Sequence, residues 1–302
     1  MTRRALALLA ALISILATAC GGGNGGSGEI VVTTNILGDV VRNIVGDTAT
    51  VRVLMQPNAD PHSFGVSAQD AAAMNSAGLI VYNGLGLEEN VTRNVESAAA
   101  QGISILAVGD RIDPIQYADG DSAGMPDPHF WTDPERMITA VDVIEEAIVR
   151  DVDGIDADAI ARNAEAYRAQ LRRLDEAMSQ GFAAVPPERR KLVTNHHVLG
   201  YLAQRFGFDV IGAVVPSGTT LAAPSASDLQ SLVGAIESAR VPAIFVDSSQ
   251  PEKLARVLAQ DAGVQVQIVP LYSESLSPPG SPADTYLDMM RANTDAIITG
   301  LR

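Results

Sequence analysis

At 302 residues the chain is long enough for two domains with cores of their own. Apolar residues at 47% and charged residues at 19% exclude a disordered polar chain. A formal net charge of -15 offers no basic stripe and excludes nucleic acid as a partner, while an acidic surface by itself mostly aids solubility.

Arg3 and Arg4 precede an apolar run from Ala5 to Ala17 that is short for a bilayer span, and the small residues Thr18 and Ala19 precede Cys20. This predicts a secretory signal over 1–19. Cys20 and the Gly-rich run to Gly28 predict a lipid-modified cysteine on a flexible tether over 20–28. Ala17 stands where a lipobox commonly has Leu, and the alternative is an ordinary signal peptide with a stray cysteine. The pair Arg3-Arg4 is too short a match to decide between general and twin-arginine export. Cys20 is the only cysteine, so an intramolecular disulfide and a thiolate metal site are both excluded.

From Glu29 the chain reads strand (to Asn35), helix (Ile36 to Val45) and strand (Thr48 to Met55). The turn-rich loop from Gln56 to Gly65 sets His62 just past a strand end. Ser67 and Asp70 resemble a capping box opening a short helix. Leu79 to Gly84 reads as a buried strand, Leu85 to Asn90 as the start of a helix, and Ile103 to Val108 as a fourth strand. Strands alternating with helices predict parallel βαβ units. Tyr117 to Met125 is polar and acidic and reads as an exposed loop.

Asp127-Pro128-His129-Phe130-Trp131-Thr132-Asp133-Pro134 holds one of four histidines and the only tryptophan. Asp133 suits an N-cap and Pro134 the first helical position, so a helix is expected to about Asp151. Asp156 is placed to cap a long helix. In it Ile160, Ala164, Tyr167, Leu171, Leu174 and Met178 recur at helical spacing on one face, before Gly181 and Pro186-Pro187 end it. Such a helix spans about 37 Å and predicts a rigid connection rather than a loose linker.

The second half repeats the pattern. Lys191 to Thr194 reads as a strand, followed by Asn195-His196-His197 and a helix through Phe206. Val210 to Val215 is a strand. Ser225 to Asp228 again resembles a capping box, before a helix to about Ser238. Ala243 to Val246 is a strand ending at Asp247, Val264 to Leu271 a strand ending near Glu274, and Ala283 to Leu301 a closing helix. The expected fold class is α/β, with two lobes, each a parallel-type sheet flanked by helices, joined by one long rigid helix. The expected divisions are a first lobe over 29–152, the linking helix over 153–183 and a second lobe over 184–302.

The four histidines are His62, His129, His196 and His197. In open α/β sheets the loops at the carboxyl ends of strands are where ligands bind. A lone histidine there is more often hydrogen-bonded than a ligand, but a histidine-poor chain that spends its histidines on equivalent loops of two halves points to one divalent transition metal. A carboxylate commonly completes such a set, and Glu274 and Asp247 are the candidates. Asp247 reads equally as a turn residue after a strand and Glu274 as a solvated loop carboxylate, so the residues alone leave the two near even.

These motifs resemble the zinc/manganese ABC-transporter solute-binding lipoproteins, a cluster with adhesin-like members. The likeness runs over 29–302. It is carried by Asp60-Pro61-His62 with Ser63-Phe64, the Asp127–Pro134 run, and His196 four residues before Gly200-Tyr201. Tyr286-Leu287-Asp288-Met289-Met290 with Asn293, and Asn83-Gly84 with Glu88, add to it. The resemblance implies one metal between two lobes, with His62 and His129 from the first and His196 and Glu274 from the second. Asp247 then becomes second choice and His197 a neighbour. Glu274 stands where the family normally has Asp.

The implied function is extracytoplasmic capture of zinc, or alternatively manganese, for delivery to an ABC permease powered by a separate cytoplasmic ATPase. The protein is expected to be a monomer held by lipid on Cys20 to the outer face of the cell membrane, or periplasmic. Three imidazoles and one carboxylate suit zinc, whereas manganese favours harder ligands. Four protein ligands leave no open position for a reacting water, which argues against an enzyme. A zinc-dependent hydrolase is the competing reading. It would need three ligands and a free carboxylate base, and the chain has neither His-Glu-x-x-His nor Gly-x-Ser-x-Gly. A surface adhesin on the same fold is the third.

Overall fold

The structure, a computed structural model, describes residues 28–261 and 266–302. The signal expected over 1–19 and the lipidated Cys20 lie outside the described residues.

The first sheet comprises β1 (Ile30–Val32), β2 (Val51–Val53), β3 (Leu79–Tyr82) and β4 (Ser104–Ala107), in the order β2-β1-β3-β4, all parallel. The second comprises β5 (Lys191–Thr194), β6 (Asp209–Ala213), β7 (Ala243–Asp247) and β8 (Gln267–Leu271), in the order β6-β5-β7-β8, again all parallel. The central strands β1, β3 and β7 are β-branched and apolar and nearly wholly buried, as strands covered by helices on both faces must be.

The helices are α1 (Asn35–Val45), α2 (Ala68–Met74), α3 (Thr92–Ala100), α4 (Pro134–Asp151), α5 (Ala157–Ala183), α6 (Gly200–Phe206), α7 (Ala226–Ala239), α8 (Lys253–Asp261) and α9 (Tyr286–Leu301). Most starts are chemically marked. Asp133 accepts from Glu135 N ahead of Pro134, and Asp156 accepts from Ala159 N. Ser225 and Asp228 form a reciprocal capping box. Ser67 caps α2 through Asp70 N, but Asp70 returns no bond to the Ser67 backbone, so only half of the expected box forms.

Other boundaries differ from expectation. Leu85–Asn90 is a turn and α3 starts only at Thr92, because the Glu88 carboxylate draws Asn83 N and Gly84 N into a tight loop. Gly181 does not end α5. It lies inside the helix, where a Cβ would come within 3.0 Å of the Ile298 side chain, so it permits close approach of α9. The loop from Tyr117 is exposed except for the half-buried Ser122 and for Tyr117 itself, which turns inward.

The long helix α5 packs along α1, α4 and α9. Its buried face is Ile160, Ala164, Tyr167, Leu171, Leu174, Met178 and Phe182, and each such apolar side chain contributes about 1.5–3 kcal/mol through burial. Phe182 sits against Phe206 and Phe208, with ring centroids 5.1 and 5.0 Å away. One core runs without a break from Ile30 and Val81 through α5 to Phe245, Leu271 and Tyr286. The outer face of each sheet carries a smaller core of its own.

Candidate metal centre

The carboxyl ends of both sheets point into one region. His62 follows β2, His129 follows β4, His196 follows β5 and Glu274 follows β8. All four are buried, and one ligand atom from each lies within 4.8 Å of all the others. His129 Nε2 is 3.4 Å from His62 Nε2, and Glu274 Oε1 is 3.1 Å from His196 Nε2 and 3.5 Å from His129 Nε2. Glu274 Oε2 is 3.7 Å from His62 Nε2. Ligands at 2.0–2.1 Å from a tetrahedral centre stand about 3.4 Å apart, so this spacing fits one small ion. His196 Nε2 and both oxygens of Glu274 make no hydrogen bond although fully buried. Such orphaned polar atoms are costly unless something binds them.

Two of the ligand loops are built alike. Asp60-Pro61-His62 and Asp127-Pro128-His129 each form a turn in which the aspartate Oδ1 accepts from the backbone N–H of the histidine two residues on, at 2.9 Å in both cases. The proline between fixes φ and offers no competing donor. In the second turn Asp127 Oδ1 also meets His129 Nδ1 at 2.8 Å. A proton on Nδ1 satisfies that bond and leaves the Nε2 lone pair facing the other ligand atoms, the arrangement that orients metal-binding histidines. Gly200 makes room for this carboxylate, since a Cβ there would stand 2.7 Å from Asp127 Oδ2. Burial raises the Asp127 carboxyl to about 7, against the lowering pull of the His129 N–H, His196, His197 and Tyr117.

Burial also sets the charge of the cluster. It brings His62 down to about 2, helped by His129 and His196. It lowers His129 and His196 as well. Glu274 is driven well above the ordinary carboxyl range, by burial first and then by Asp247, Asp60 and Asp127. Three neutral imidazoles and a carboxyl form a cation-binding set, with no fixed positive charge among them.

Asp247 and His197 are not among the converging groups. The Asp247 carboxylate accepts from Ser273 N at 3.1 Å, Ser273 Oγ at 2.7 Å, Glu274 N at 3.1 Å and Ser249 N at 2.8 Å, and from Ser249 Oγ. His197 turns away, toward Tyr117 and Gly120, beside a cleft of about 800 Å³ that holds none of the four clustered residues.

Supporting residues surround the cluster, some within the motifs read from the sequence (Asp60, Trp131) and some not singled out there (Tyr117, Thr220, Gln250). Tyr117 OH stands 3.2 Å from His129 Nδ1 and donates to Gly218 O at 3.3 Å. Trp131 Nε1 donates to Ser273 O at 2.8 Å, tying the His129 loop to the Glu274 loop. Asp60 Oδ2 accepts from Thr220 Oγ1 at 2.6 Å and Gln250 Nε2 at 3.0 Å, both from the second lobe. The signal available for Asp60 and Asp127 was the doubled Asp-Pro-His. None marks Tyr117 or Thr220, which act through distant loops.

The zinc-uptake complex component A family model, described as periplasmic, matches residues 30–300. A manganese-binding lipoprotein, MntA of Halalkalibacterium halodurans, is 30% identical over 297 residues, 96% of each chain. Among solved structures, the periplasmic zinc binding protein TroA from Treponema pallidum superposes with a TM-score of 0.82 at 31% identity, covering 90% of this chain and 98% of that one. An Mn-bound periplasmic metal binding protein from Candidatus Liberibacter asiaticus gives a TM-score of 0.80 at 29% identity, covering 91% and 99%.

Proposed function

The chain belongs to the periplasmic zinc-uptake component A family, and on that premise we propose that it captures one divalent transition metal outside the cytoplasm and hands it to an ABC permease. The ligands in this reading are His62, His129, His196 and Glu274. The observation that carries it is the buried set of four ligand atoms within 4.8 Å of one another, with His196 Nε2 and both Glu274 oxygens left without hydrogen bonds.

Zinc is the preferred cargo and manganese the alternative. Relatives named for each metal are similar to this chain, so the donor set decides. Three imidazoles and a single carboxylate favour the softer ion, because manganese gains more from additional oxygen ligands. The one carboxylate within reach faces the same point as the imidazoles, which leaves no separate base for a metal-bound water. In this reading the arrangement supports a carrier rather than an enzyme. In this reading lipid on Cys20 holds a monomer to the membrane, and import is driven by a cytoplasmic ATPase beneath the permease.

Calorimetric titration of the metal-stripped chain with zinc and with manganese tests the proposal. One tight site with zinc preferred is the expected result. Tighter manganese binding would reassign the cargo, and no stoichiometric binding of either ion would overturn the reading.

A further inference from the structure

The two ligands of the second lobe sit on different loops, after β5 and after β8. In the sheet order β6-β5-β7-β8, the strand between them is β7, and its last residue is Asp247. The tip of β7 therefore stands between the two ligand loops, and Asp247 bonds to both. On one side its Oδ2 takes Ser273 N, Ser273 Oγ and Glu274 N, so it holds the backbone N–H of the ligand itself. On the other its own N–H donates to Asn195 Oδ1 at 3.2 Å, and the Asn195 amide meets His196 Nδ1 at 3.1 Å. Its second oxygen is filled by Ser249. Asp247 is 1% exposed.

We propose that Asp247 is the positioning residue of the second lobe's half-site: its carboxylate sets the aim of Glu274 without touching the ion, while its backbone N–H braces Asn195 behind His196. The inference rests on the metal-binding reading above. A carboxylate suits the task because one oxygen can gather three donors from a loop turn, and charge-assisted bonds of this kind are short and directional. Residues that orient metal ligands from behind typically cost 10–100-fold in affinity when removed.

Cobalt(II) is the probe, because its visible bands are intense in four-coordinate sites and weak in six-coordinate ones. The measurements compare wild type, Asp247→Asn, Asp247→Ala and Glu274→Gln by cobalt spectra and zinc titration. Asp247→Asn keeps an oxygen for the Ser273 and Glu274 donors, so it should retain the four-coordinate spectrum with a loss of up to about tenfold in affinity. Asp247→Ala frees the Glu274 loop and should lose about 10–100-fold, with the bands weakened. A rescue by Asn but not Ala is the signature of positioning.

Two results would overturn the inference. If Asp247→Asn changes the spectrum as Glu274→Gln does, Asp247 binds the ion directly. If Asp247→Ala matches wild type in both readouts, it positions nothing. Should wild type itself give no four-coordinate cobalt spectrum and no zinc binding, the metal-binding reading fails, independently of Asp247.

Discussion

Replacing Glu274 by glutamine removes one charge and almost no volume, and the structure assigns that change two effects of opposite sign. In the loaded protein the carboxylate is the only anion among four ligands. Structural zinc sites contribute about 10–16 kcal/mol, roughly 2.5–4 kcal/mol per ligand. Glutamine keeps a neutral oxygen in place, so the expected loss is about 2–3 kcal/mol, a rise in zinc Kd of roughly 30- to 150-fold. In the metal-free protein the same carboxyl is wholly buried, with neither oxygen hydrogen-bonded. Burial there holds the carboxyl protonated, a cost near neutral pH that a neutral amide does not carry, so metal-free Glu274→Gln should be more stable by about 1–2 kcal/mol. Chelator-competition titration measures the first effect and urea unfolding in excess chelator the second. A variant within threefold of wild type in zinc affinity would refute Glu274 as a ligand. A variant destabilised when metal-free would refute the account of its burial.

The affinity should also follow pH with a definite sign. His62 is held down to about 2, and His129 and His196 are lowered, so none takes up a proton in the neutral range. Glu274 is raised, so the proton it holds must leave when metal binds. Zinc affinity should therefore rise with pH, by up to about tenfold per unit, and level off above the Glu274 pKa; titration in buffers of different ionisation heat counts the released proton. Removing Thr220 Oγ and the Gln250 amide together (Thr220→Val with Gln250→Leu) cuts the ties of the second lobe to Asp60. At about 0.5–1.5 kcal/mol per bond, zinc should dissociate roughly 5- to 150-fold faster in stopped-flow chelation, and an unchanged rate would show that these bonds do not restrain the ion. Free zinc at a thousand times Kd should add about 4 kcal/mol to the unfolding free energy, and chelator should remove that gain.

Much of the scaffold was legible because local chemistry fixes it. Asp133-Pro134, Asp156 and Ser225 open helices where their capping chemistry predicts, and the apolar face of α5 follows the period from Ile160 to Met178. The positions of His62, His129 and His196 past strand ends could also be read from the chain. What could not be read depends on partners far away in sequence. α8 was not anticipated, because the stretch after Asp247 reads only as a link to the next strand. Leu85–Asn90 has helical composition, yet Glu88 bonds back to Thr33, Asn83 and Gly84 and makes a turn. Gly181 looks like a stop until Ile298 is seen beside it. Asp247 and Glu274 follow adjacent parallel strands, so spacing could not separate them. In the structure the Asp247 oxygens are taken by Ser249, Ser273 and Glu274 donors, while those of Glu274 make no hydrogen bond.

The unbroken core beneath the two sheets bears on how an ion gets in and out. Swinging the lobes apart like jaws would strip apolar cover from Tyr167, Leu171, Leu174 and Phe182 along α5 and draw water between them. A hinged clamshell avoids that cost by crossing between its halves on thin strands; here the crossing is a 27-residue helix embedded in both halves. Traffic is therefore confined to the loops at the strand tips, where polar rim bonds break without uncovering the core. A shared core also makes the halves one cooperative unit, so the metal-free chain should melt in a single calorimetric transition rather than lobe by lobe.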